Sequence, residues 1–115
     1  MIKEDSELGK IIDIIVKNVF PVKIFLFGSH AKNIAKKESD FDIFVLIKNS
    51  KNTRQIEKDL YYKMAKEGIS IPVDLIVDTV EKYRRLKGNH YLIYNQIAKY
   101  GKTVYDKDTT IPAMA

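Results

Sequence analysis

"FDIFVLI", residues 41–47, is the stretch that most limits how this chain can fold. Beyond Asp42 every side chain is apolar, and successive side chains in a strand point to opposite faces. Both faces must therefore be covered, which makes this a central strand between two layers. "VKIFLF", residues 22–27, is a second buried strand, rich in branched and aromatic residues and ended by Gly28. "IPVDLIV", residues 71–77, is a third, in which Pro72 is tolerable only near the start.

Helical spacing accounts for most of the remaining chain. Leu8, Ile11, Ile12, Ile15 and Val19 form a stripe that predicts a helix from Ser6 to Asn18, closed by Pro21 and weakened in its first turn by Gly9. Asn52 to Glu67 is a second helix, with Asn52 and Gln55 as a capping box, Ile56, Leu60 and Met64 as the buried stripe, and Gly68 as the stop. Asp78 with Glu81 reads as another capping box, opening a short helix that ends by Gly88. Asn89 to Tyr100 is the last helix, stopped by Gly101, and "KTVY" after it can add a small closing strand.

The order is therefore helix, strand, loop with a possible helix, strand, helix, strand, helix, helix. It predicts a minimal α/β (α+β) sandwich, a three-stranded core sheet flanked by helices. Residues 1–107 make one domain, and the tail "DTTIPAMA", residues 108–115, carries no packing pattern and is expected to be disordered. A chain of 115 residues that is 45% hydrophobic and 30% charged can bury one core and does not have the composition of a disordered protein. No apolar run approaches the ~20 residues of a membrane span. The opening "MIKEDSELGK" does not resemble a secretory signal, and with no cysteine the chain fits the cytoplasm. The net charge of +5 favours anionic partners in general and selects none in particular.

The chemistry is concentrated where strands meet loops. Asp40 and Asp42, two apart at the mouth of the second strand, project to one face if the strand begins there. Two carboxylates that close cannot both ionise cheaply without a counter-charge, and Mg²⁺ with substrate phosphates is the usual partner. Asp74, inside the third strand, joins them if the second and third strands are neighbours, and three such aspartates make a two-metal site for phosphoryl or nucleotidyl transfer. Singly, each has an ordinary reading. Asp40 can be a turn residue, Asp42 an edge residue facing water, and Asp74 a buried acid paired with a lysine such as Lys23. Gly28 lets the backbone turn sharply and approach a ligand, and Ser29 offers a hydroxyl and an N–H to phosphate oxygens.

Gly28-Ser29, ten intervening residues, Asp40-x-Asp42 and a later strand aspartate, Asp74, together resemble the nucleotidyltransferase superfamily of the DNA polymerase β type. The short chain points to its minimal members, the MNT antitoxins that accompany HEPN toxins. The resemblance implies the polymerase β-like fold, a small mixed sheet flanked by helices. It also implies that Asp40, Asp42 and Asp74 are the catalytic, metal-binding carboxylates for two Mg²⁺ ions, and that Gly28 and Ser29 grip the triphosphate of ATP. Lys32, near the turn, is a further candidate for the phosphates. Where the family usually reads Gly-Ser-Arg-Ala-x-Gly, this chain has "GSHAKN". His30 makes phosphate contact there weaker and pH-dependent, and Asn33 is the non-glycine residue most tolerant of left-handed backbone.

By the same resemblance the chain is a protein adenylyltransferase, moving AMP from ATP onto a tyrosine of a cognate HEPN toxin and so acting as a type VII antitoxin. Two other readings stay open: an antitoxin that neutralises its partner by complex formation alone, and a nucleotidyltransferase acting on a small hydroxyl compound such as an antibiotic. The basic, aromatic stretch "EKYRRLKGNHY", residues 81–91, suits an exposed helix face above all, and RNA or an acidic toxin surface as alternatives; direct nucleic-acid binding is not the expectation. Lys36 and Lys37 read as solvated loop residues.

Overall fold

The computed structural model describes residues 3–28, 40–50 and 52–108, with side chains from residue 7 onward. The possible helix between the first two strands, and residues 109–115 of the tail, lie outside the described residues. Helix α1 (Lys3–Val19) leads into strand β1 (Lys23–Phe27), followed by β2 (Phe41–Ile47), α2 (Thr53–Lys66), β3 (Val73–Thr79), α3 (Val80–Leu86), α4 (Ile93–Tyr100) and β4 (Lys102–Asp106). Among the described residues these form one mixed four-stranded sheet in the order β3-β2-β1-β4. β2 runs antiparallel to β1 and parallel to β3, and "KTVY" is the fourth strand, pairing with β1 across a bulge at Ile24/Phe25.

The alternation of β2 divides the core. Ile43, Val45 and Ile47 face one side, where they pack with Ile24 and Leu26 of β1, Leu75 and Val77 of β3, Ile11, Ile14 and Ile15 of α1, and Leu60 and Met64 of α2. Phe44 and Leu46 face the other side and meet Phe25, Ile97 of α4, and Tyr83 of α3. β2 is buried along nearly its whole length because both layers close on it. A strand that is apolar on both faces needs this arrangement. Its first position on the second face is Asp42, which the core does not cover.

Local signals were mostly right in kind and shifted in position. α1 runs through Gly9 without a break. At α2 the Asn52 side chain accepts from Gln55 N–H, as a cap should, but the Gln55 amide bonds Asp59 (3.0 Å) in place of returning to Asn52. The expected Asp78–Glu81 box is displaced by one residue: Thr79 is the cap of α3, accepting from Lys82 N–H, while Asp78 still belongs to β3. α4 begins at Ile93, four residues after the expected start, because Asn89 makes a turn by accepting from the Tyr91 N–H (3.0 Å).

β3 is an edge strand, and α2 closes that edge. The Leu75 N–H donates to the Tyr61 hydroxyl (2.8 Å) and the Val77 N–H to the Glu57 carboxylate (2.8 Å), two side chains one helical turn apart. Open edges invite pairing with other chains, and this one is covered by helix side chains. The double variant Glu57→Ala/Tyr61→Phe is expected to lose about 1–2 kcal/mol in urea denaturation, the sum of two modest hydrogen bonds. It should also gain concentration-dependent self-association by light scattering, since the freed N–H groups then seek partners. No helix among the described residues is long and apolar enough to cross a membrane.

Candidate active site

The carboxylates sit where two strand registers meet. In the parallel ladder Asp42 stands directly beside Asp74, and in the antiparallel ladder it stands beside Phe27, the residue before Gly28. Directly opposed residues share a face, so Asp42 and Asp74 project together from the face that carries Phe44. Asp40 immediately precedes the first paired residue of β2 and is exposed. The Phe41 N–H donates to the Pro72 carbonyl (3.0 Å), which ties the entrances of β2 and β3 together. The three aspartates thus lie at one end of the sheet, as expected from sequence. Asp74 is exposed, which sets aside the ordinary reading of it as a buried acid; α4 covers only the opposite end of that face. Its suggested partner Lys23 pairs instead with Asp106 (3.7 Å).

Gly28 completes the corner. Its φ of +72° is a left-handed conformation that favours glycine, and a Cβ built there would overlap the Asp42 carboxylate. Any other residue here would be strained in its backbone and would force the Asp42 carboxylate to move. Ser29 and Lys32, with His30 and Asn33, lie outside the described residues.

The donor chemistry suits a hard divalent cation. It is all oxygen, it presents two acids at opposed positions of one face, and Gly28 leaves no side chain over Asp42. No described lysine, arginine or histidine pairs with Asp40 or Asp74. Among the described residues no three His, Cys, Asp or Glu side chains are grouped closely enough to hold a metal, so the aspartates share an end of the sheet without closing into a ligand set.

Two tyrosines near these acids were not separated by sequence reasoning from the other tyrosines. Tyr61 of α2 is raised above the ordinary phenol range, first by burial and then by the charges of Asp74 and Glu57, while the Leu75 N–H opposes the shift. Tyr94 of α4 donates a hydrogen bond to Asp78, the third residue on the face of Asp74. Asp78 is 6% exposed, accepts also from the Thr79 N–H (2.9 Å), and pairs with Lys82 (3.3 Å). It is thus an anchor that holds α3 and α4 to the sheet. The spacing in "VDLIVD" contained this signal, since Asp74 and Asp78 are four apart in a strand.

Tyr94 is pushed well above the usual phenol value by burial, with the Asp78 hydrogen bond and charge adding to it. A phenol whose folded pKa exceeds its unfolded value of about 10 contributes stability that is complete below pH 10. That stability is lost as pH rises above 10, where the unfolded chain ionises first. Thermal melts from pH 8 to 11 should therefore fall more steeply above pH 10 for the wild type than for Tyr94→Phe.

The described residues thus form a mixed sheet with helices on both faces, with opposed aspartates at one end and a glycine corner beside them. The polymerase beta nucleotidyltransferase family profile matches residues 9–110, and the chain belongs to that family. Its fold is similar to that of a toxin–antitoxin structure determined with AMP-PNP (TM-score 0.63, 24% identity, 93% of this chain and 79% of that one). It is also similar to the MntA–HepT toxin–antitoxin structure (0.59, 22%, 96% and 80%). A third similar structure is the tri-AMPylated Shewanella oneidensis HEPN toxin in complex with MNT antitoxin (0.57, 21%, 96% and 79%). No curated protein matches the chain significantly.

Proposed function

We propose that this nucleotidyltransferase transfers AMP from ATP to a tyrosine hydroxyl of a cognate HEPN toxin and thereby acts as its antitoxin. The observation that carries the reading is the register that sets Asp42 beside Asp74, with Gly28 packed against the Asp42 carboxylate. The similar structures that contain an AMPylated HEPN toxin or AMP-PNP support the choice of acceptor and nucleotide.

In this reading Asp40, Asp42 and Asp74 would hold two Mg²⁺ ions, which would supply activation of the acceptor hydroxyl and neutralisation of the departing pyrophosphate. The chain's own residues do the positioning. Gly28 keeps the space over Asp42 clear, so that a phosphate can lie against backbone rather than a side chain. By the sequence resemblance, Ser29 and Lys32 would be the further phosphate contacts. The exposure of Asp74 leaves its side of the site open to a protein acceptor brought by a partner.

Incubating the purified chain with Mg²⁺, ATP labelled at the α-phosphate and the HEPN protein encoded beside it should transfer label to a tyrosine. Absence of label on any partner tyrosine, with full protection of cells by Asp42→Asn, would establish neutralisation by binding alone. Label on a small hydroxyl compound instead would replace the acceptor.

A further inference from the structure

The face that carries Asp42 and Asp74 has a concavity at its other end. It is a cavity of about 390 Å³ between β1, the end of β2, α3 and α4, lined among others by Lys23, Phe25, Leu46, Tyr83, Arg84 and Lys87. Leu46 is four residues along β2 from Asp42, about 13 Å at ~3.3 Å per residue. Between them stands Phe44, fully buried, with the Tyr83 ring tilted against it (5.6 Å between centroids) and Tyr94 edge-on (5.8 Å). This aromatic wall separates the cavity from the carboxylates.

Its lining makes two demands. Lys87 Nζ leans over the Tyr83 ring (5.8 Å) and Lys23 Nζ over the Phe25 ring (6.0 Å), so cations and aromatic surface stand together. Lys23 is balanced by Asp106, whereas Arg84 and Lys87 have no acidic partner among the described residues. The end of α3 is held in place, since the Asn95 amide donates to the Lys87 carbonyl (2.8 Å). Two exposed cations without an acidic partner among the described residues suit a compact anion of charge near −2, and the aromatic and aliphatic lining suits a flat apolar body. Inorganic phosphate lacks the body. A lone acidic side chain lacks both the body and the second charge. A volume of this size lies in the range of small-molecule pockets, about 300–1,000 Å³.

We propose that this cavity binds a nucleoside monophosphate, its phosphate on Arg84 and Lys87 and its base against Tyr83, at a site separate from the carboxylate end. The inference stands on the cavity alone and does not depend on the proposed transfer reaction. The test is isothermal titration in EDTA, which silences metal-dependent binding, with AMP, adenosine and inorganic phosphate as probes. AMP is expected to bind at least tenfold more tightly than either fragment. Arg84→Ala/Lys87→Ala should weaken AMP at least tenfold, and Asp42→Asn should leave it unchanged. Both cations are exposed, so the double variant keeps its fold, which its melting curve verifies. No binding of AMP, phosphate binding as tightly as AMP, or a loss in Asp42→Asn and not in the Arg84/Lys87 variant would each overturn the assignment.

Discussion

Asp42→Asn and Asp74→Asn should each lower the proposed AMP transfer by about a thousandfold or more. A metal clamp on a transferring phosphoryl group contributes several kcal/mol, and each ~1.4 kcal/mol is a factor of ten in rate. The two acids occupy directly opposed positions on one face, so losing either breaks the same site. The stability readout distinguishes this from simple unfolding. Asp74 is exposed, has no cationic partner among the described residues, and stands beside a like charge. Neutralising it should leave the melting temperature unchanged or raise it slightly, because like charges directly opposite in a sheet disfavour folding by a few tenths of a kcal/mol. Mg²⁺ titration adds a second check. A cation that binds only the folded chain stabilises it by mass action, so Mg²⁺ should raise the wild-type melting temperature and not that of Asp74→Asn.

Gly28→Ala is the second large effect, and Gly68→Ala is its control. Both glycines have positive φ, +72° and +79°, so alanine at either should cost about 1–2 kcal/mol of stability through backbone strain. Only at Gly28 does the added Cβ meet another group, the Asp42 carboxylate; at Gly68 nothing lies within 4 Å. Displacing a catalytic group by about 1 Å can cost a hundredfold in rate. Gly28→Ala should therefore lose about two orders of magnitude of transfer, while Gly68→Ala keeps wild-type turnover at a temperature where both are folded. Equal turnover in the two variants would mean that the corner beside Asp42 takes no part in the reaction.

Much of this architecture was legible in the chain, for reasons that lie in particular residues. "FDIFVLI" had to be central because it has no polar face beyond Asp42, and its bounds were read correctly. Asp40, Asp42, Asp74 and Gly28 could be grouped because strand ends and a glycine stop have fixed geometry; the pairing of β2 with β3 brought Asp74 into line. What failed was the ends of helices. Asp78 looked like a cap because acids are common there, and only tertiary structure decides that it is buried beneath Tyr94. Asn89 looked like a helix start, but its side chain was already engaged in a turn. The exposure of Asp74 was not legible because sequence alone does not say how far a helix reaches across a sheet. The edge contacts of Tyr61 and Glu57 are likewise invisible without the packing of α2 on β3.

The side-by-side placement of β2 and β3 has a consequence for how this chain can change. Side chains alternate along β3, so sliding it by a single residue against its neighbour would turn Leu75 and Val77 outward at the same moment that it carried Asp74 away from Asp42. Folding correctly and assembling the acidic pair are one event here. A molecule with this sheet misaligned would betray itself as insoluble before it could persist as a folded but idle protein.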